Sequence, residues 1–112
     1  MRKILIALLV TACSAVLATQ ALAGTRTLKV GDDYYVRAGS PPTVTVKKNT
    51  KVTWKWVGRD MHNVAVSKGP VKFNSSFKKS GTYSRTMRKR GTYKIICTIH
   101  QPEMRMTLKV VR

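Results

Sequence analysis

The sequence predicts an all-β fold, a small antiparallel sandwich or barrel of many short strands. Three observations carry this expectation. Apolar and polar residues alternate at period two, most clearly where Val52, Trp54 and Trp56 interleave with Lys51, Thr53 and Lys55. Turn signals recur between such runs, among them Gly31-Asp32-Asp33, Gly39-Ser40-Pro41-Pro42, Lys68-Gly69-Pro70 and Arg88-Lys89-Arg90-Gly91. No stretch after residue 23 shows a sustained apolar stripe at the helical period.

Residues 24–29 lead into Val30 and the first turn. Residues 34–36 form a short strand, and 43–46 form another after the proline break. Lys47-Lys48-Asn49-Thr50 is a turn in which Asn49 suits positive φ. Residues 51–57 make a half-buried strand, 58–61 a loop, and 62–66 the next strand, with His62 at its start. Residues 71–79 are irregular. Strands at 82–87 and 92–97 flank the Arg88–Gly91 turn, and the second of them points Tyr93, Ile95 and Cys97 inward. Met106, Leu108 and Val110 alternate with Arg105, Thr107 and Lys109 in the closing strand. The expected pairing is antiparallel. Arg85 shares parity with Tyr83 and Met87, which requires an edge strand, an arginine reaching out of the barrel end, or a register one residue off.

The N-terminus has a different composition. Arg2-Lys3 precedes an apolar run from Ile4 to about Ala18, and Ala21-Leu22-Ala23 precedes Gly24. These are the charged, apolar and cleavage regions of a secretory signal peptide, residues 1–23, followed by one domain, residues 24–112. The apolar run falls short of the roughly 20 residues of a spanning helix. Export to a periplasmic or extracellular location follows. Val10-Thr11-Ala12-Cys13 offers a rival reading, a lipid anchor on Cys13.

The 112 residues carry 22 lysines and arginines against four acids, Asp32, Asp33, Asp60 and Glu103. Without Arg2 and Lys3 the balance is +16 (20 − 4). Such a charge implies steered association with acidic redox proteins or an anionic membrane or envelope surface. A nucleic-acid partner is disfavoured, because the aromatics fall on core faces and no groove-fitting helix is predicted. A monomer is expected.

After residue 23 the chain has one cysteine, Cys97, so no disulfide can form within it. An unpaired thiol in an exported protein is a liability unless something uses it. Cys97, His100 and Met104 lie within eight residues, and His62 is the only other histidine. Two imidazoles, a thiolate and a weak thioether form the donor set of an electron-transfer copper site. A structural zinc site would want four strong donors and finds three. Singly, each residue is ordinary: a buried cysteine, core methionine or satisfied histidine. The combination points to metal. Nothing points to an enzyme, since no carboxylate pair, second metal cluster or spare histidine is present.

The segments Val44-Thr45-Val46, Val52-Thr53-Trp54, His62-Asn63-Val64, Gly91-Thr92-Tyr93 and Cys97-x-x-His100…Met104, in this order, resemble the cupredoxins, the type 1 (blue) copper proteins. The resemblance implies a Greek-key β-sandwich of about eight strands with one copper ion near one end. It implies His62, Cys97 and His100 as equatorial ligands, Met104 as the axial one, and Asn63 and Thr98 as the tie between the ligand loops. It also implies single-electron transfer, with an exported copper carrier and a cationic polyanion-binding protein as alternatives. Three departures stand out. Three residues separate His100 from Met104, where plastocyanin and pseudoazurin have four and amicyanin two. Met61 and Ile99 replace prolines common before each ligand histidine. Met106 is a rival axial donor, but its parity with Leu108 and Val110 assigns it to the core.

Overall fold

The computed structural model describes residues 24–112, so the signal peptide and Cys13 readings lie outside the described residues. The described residues form eight strands: β1 (Thr25–Gly31), β2 (Tyr34–Tyr35), β3 (Thr43–Lys47), β4 (Thr50–Trp56), β5 (Ala65–Lys68), β6 (Thr82–Met87), β7 (Gly91–Ile96) and β8 (Arg105–Val111). They build two four-stranded sheets, ordered β2-β1-β4-β6 and β3-β8-β7-β5. The result is an all-β sandwich, as the alternation predicts, with the Greek-key arrangement that the resemblance implies.

The inward rows close the core. Val52, Trp54 and Trp56 of β4 face Tyr93 and Ile95 of β7 and Met106, Leu108 and Val110 of β8, all buried. Period-two alternation makes this possible, because one side of each strand is apolar and the other carries Lys and Thr. At the start of β7, Gly91 has φ of 145° and any added methyl would fall on the Pro70 ring. Asn49 takes φ of 73° in the β3–β4 turn, as its amide side chain permits.

The structure differs from the sequence expectation in three places and chooses among its alternatives in a fourth. Residues 25–31 are a full strand. Two pairings are parallel, β1 with β4 and β3 with β8, so the sheets are mixed rather than antiparallel. His62 precedes β5 and makes only an isolated bridge with Lys78. The parity conflict at Arg85 resolves because β6 is the sheet edge. There the guanidinium lies over the Phe73 ring, 5.0 Å from its centroid, and stays exposed.

Strand directions sort the connections between two poles. β1, β4 and β7 run toward one pole, where the 57–64 and 97–104 segments lie. β3 and β4 meet at the other, beside the β6–β7 turn, with Asn49 donating its N–H to the Met87 carbonyl at 2.7 Å.

Candidate metal centre

His62 is held from every side. Its backbone N–H donates to the Lys78 carbonyl (3.0 Å), and its own carbonyl accepts the Lys78 N–H (2.9 Å) and the Trp56 indole N–H (3.2 Å). Its ring is fully buried, and Nε2 lies 3.0 Å from Asp32 Oδ1. Cys97 follows directly on β7 with its side chain fully buried. The loop after it folds back on itself: His100 N–H donates to the Cys97 carbonyl, Met104 N–H to the His100 carbonyl, and Cys97 N–H to the Met104 carbonyl, at 3.2, 3.0 and 3.1 Å. That ring of bonds brings a fully buried Met104 under the loop.

Asn63 ties the two segments together. Its Oδ1 accepts the Thr98 backbone N–H at 2.9 Å and the Thr98 hydroxyl at 3.3 Å. The Asn63 carbonyl accepts the Tyr35 hydroxyl at 2.5 Å. Burial, with the nearby Cys97 sulfur adding to it, pushes the Tyr35 phenol far above its ordinary range, so it remains a donor. Tyr35→Phe leaves that carbonyl without its donor. It is expected to lower stability by about 1–3 kcal/mol in denaturant unfolding.

Three donor atoms converge. His62 Nδ1 and His100 Nδ1 are 3.1 Å apart, and Cys97 Sγ lies 3.4 Å from His100 Nδ1 and 4.0 Å from His62 Nδ1. The opposite edge of each ring faces a carboxylate: His62 Nε2 at Asp32, and His100 Nε2 at Asp33 Oδ1, at an ion-pair distance of 3.6 Å. A carboxylate hydrogen-bonded at Nε2, as Asp32 is to His62, places the ring proton there and leaves the Nδ1 lone pair free. That lone pair faces His100 Nδ1 and the Cys97 sulfur, the arrangement donors take around a cation. Zinc-like bond lengths of about 2.0–2.1 Å to nitrogen and 2.3 Å to sulfur space three trigonal donors roughly 3.5–3.8 Å apart. The observed distances bracket that spacing, so the residues fit a metal ion.

Sequence reasoning missed Asp32, which it read only as part of a turn. Besides His62, its carboxylate accepts the backbone N–H of Arg59 (3.0 Å to Oδ1) and of Asp60 (2.9 Å). The Asp60 N–H first, then the His62 ring and the Arg59 N–H, hold its pKa at about 2 instead of 3.8. Asp33 was missed likewise. The available signal was that two of only four acids stand side by side. Met61 is exposed, as is Ile99, and His100 is about one-third exposed between the loops.

Comparison with known proteins agrees with this geometry. The sequence model for copper-binding proteins of the plastocyanin/azurin family matches residues 38–111. A search of curated proteins by sequence gave no match. Among solved structures, a reduced amicyanin with a tryptophan-to-tyrosine change superposes with a TM-score of 0.65 and 27% identity, covering 83% of this chain and 88% of that one. The Cu(I) form of a methionine-to-alanine amicyanin gives 0.64 and 29%, with the same coverage. A copper-containing nitrite reductase from Thermus scotoductus SA-01 gives 0.63 and 22%, covering 79% of this chain and 22% of that one, which shows a shared fold alone. With His62, Cys97 and His100 arranged to bind one copper ion, the chain belongs to the plastocyanin/azurin family of copper-binding proteins.

Proposed function

We propose that this protein is an exported single-electron carrier in which His62, Cys97, His100 and Met104 hold the copper ion. The observation that carries this is the convergence of three donors fixed by strands and loop hydrogen bonds, with both Nδ1 atoms turned inward. Bound copper supplies a one-electron couple, and a mixed nitrogen–sulfur set of this kind suits both of its oxidation states. The chain's own part is rigidity. β7 fixes Cys97, the Lys78 bridge and Asp32 fix His62, and the Asn63–Thr98 tie keeps the two segments in register, so little rearrangement accompanies a change of charge. Burial of His62, Cys97 and Met104 excludes water. Amicyanin, the similar protein above, is known in both oxidised and reduced forms, which supports a redox role here.

The electron leaves or enters through His100, the one histidine that reaches the surface. Ile99 and Met61, 53% and 43% exposed, supply the apolar contact expected beside such a port. The +16 charge steers acidic partners from a distance, while the contact itself is apolar. Ile99→Glu is expected to slow exchange with a redox partner by about tenfold or more, with copper still bound. An unchanged rate in stopped-flow mixing removes the port assignment. The reading as a whole is tested by adding Cu(II) to the chain from Gly24 on. An intense blue band, bleached by reductant and restored by oxidant, with a matching EPR signal, supports it. Copper binding without that band, or without reversible bleaching, overturns it.

A further inference from the structure

The four acids are confined to one end of the domain, whereas the cations are spread over its whole surface. Every acid of residues 24–112 lies at the pole that holds the copper site. Asp32 meets His62, Asp33 meets His100, the Asp60 N–H bonds to Asp32, and Glu103 shares a hollow of about 300 Å³ with Asp33 and His100. The opposite pole has no acid. There the β3–β4 turn brings Lys47 and Lys48, the β6–β7 turn brings Arg88, Lys89 and Arg90, and the end of β8 brings Arg112, all exposed. Hydrogen bonds lock these pieces together: Lys48 N–H donates to the Val111 carbonyl (2.6 Å), and Asn49 N–H to the Met87 carbonyl (2.7 Å). The chain enters at the same pole, where Lys51 N–H meets the Gly24 carbonyl at 3.1 Å.

We propose that this basic pole docks on an anionic phospholipid bilayer and holds the copper pole away from it. The occupant follows from charge. A cap of six exposed cations without an acidic side chain suits a flat anionic surface. Among the described residues no helix is long and apolar enough to cross a membrane, so the contact is peripheral. β4 has seven residues, so the poles are roughly 20 Å apart. That exceeds the Debye length of about 8 Å at physiological salt. The acids around His100 therefore do not feel the headgroups, and the port stays open to a soluble partner.

The test uses copper-loaded residues 24–112, which contain all eight strands and the whole core described above. Sedimentation with equimolar phosphatidylglycerol and phosphatidylcholine vesicles is compared with phosphatidylcholine alone. A cation close to such a surface is worth about fivefold in binding. Neutralising Lys47, Lys48, Arg88, Lys89 and Arg90 to Gln is therefore expected to weaken binding by at least about a hundredfold. The same change at Lys29, Lys55, Lys68, Lys94 and Lys109, on the two sheet faces, is expected to cost far less, and both variants should keep their copper spectrum. In hydrogen exchange, vesicles should protect residues 47–51 and 88–91 but not 97–104. Equal losses in the two variants, protection at the copper pole, or binding to single-stranded DNA without preference for anionic vesicles would each overturn the proposal.

Discussion

Met106→Ala is expected to lower stability by about 2–5 kcal/mol in denaturant unfolding while leaving the visible band and reduction potential of the copper form in place. Met104→Ala is expected to move both the band and the potential. Each methionine is buried, so each truncation opens a space in the core and stability does not distinguish them. Position does. Met106 lies within β8, opposite Ile95 of β7, in the inward row with Leu108 and Val110. Its side chain belongs to the packing between sheets. Met104 precedes β8 and closes the hydrogen-bonded ring with Cys97 and His100, which keeps it within the ligand loop. A long axial thioether tunes the potential of such a centre more than it holds the metal. We propose that these loop bonds accommodate the three-residue gap between His100 and Met104 and keep the axial role on Met104. The reverse outcome, a shifted spectrum in Met106→Ala and an unchanged one in Met104→Ala, assigns the thioether to Met106.

The strands legible in the sequence are those whose two faces differ. β4, β7 and β8 alternate cleanly, and their inward residues match the buried set. β1 was not legible because Thr25, Arg26 and Thr27 are all exposed and only Leu28 and Val30 mark an inner side. His62 looked like the start of a strand because residues 62–66 are uniformly buried. The backbone instead spends its bonds on Lys78 and on the Ser75 hydroxyl, which accepts the Val64 N–H at 2.9 Å. Parallel pairing is set by which strands the crossovers bring together, and a period-two pattern reads the same for either direction. His62, Cys97 and His100 were legible as a set because histidine and unpaired cysteine are rare in this chain. The carboxylates behind the rings were not, since a Gly-Asp-Asp turn has the same composition whether or not a histidine from 30 positions away reaches it.

Asp32→Ala is expected to weaken copper binding by about 10–100-fold in chelator competition, although Asp32 would not touch the metal. The argument rests on three simultaneous bonds. Asp32 Oδ1 accepts the His62 Nε2–H hydrogen bond, which favours the tautomer with Nδ1 free. The same carboxylate accepts the Arg59 and Asp60 N–H groups, which sets the path of the loop entering His62. Alanine releases both at once, so the ring is free to rotate and either nitrogen can carry the proton. Asp32→Asn retains one oxygen acceptor but replaces the other with an amide donor, so it should fall between wild type and alanine. The EPR signal of the copper-loaded variants provides a second readout, because a rotated His62 changes the geometry of the site. The acid side has a definite sign. The folded pKa is below the ordinary value, so the clamp is fully present above pH 3.8 and is lost as pH falls through about 2. Protonation of Asp32 therefore does not explain any loss of copper that begins well above pH 4. Wild-type affinity and an unaltered EPR signal in Asp32→Ala would show that the Lys78 bridge and the Trp56 indole bond alone hold His62.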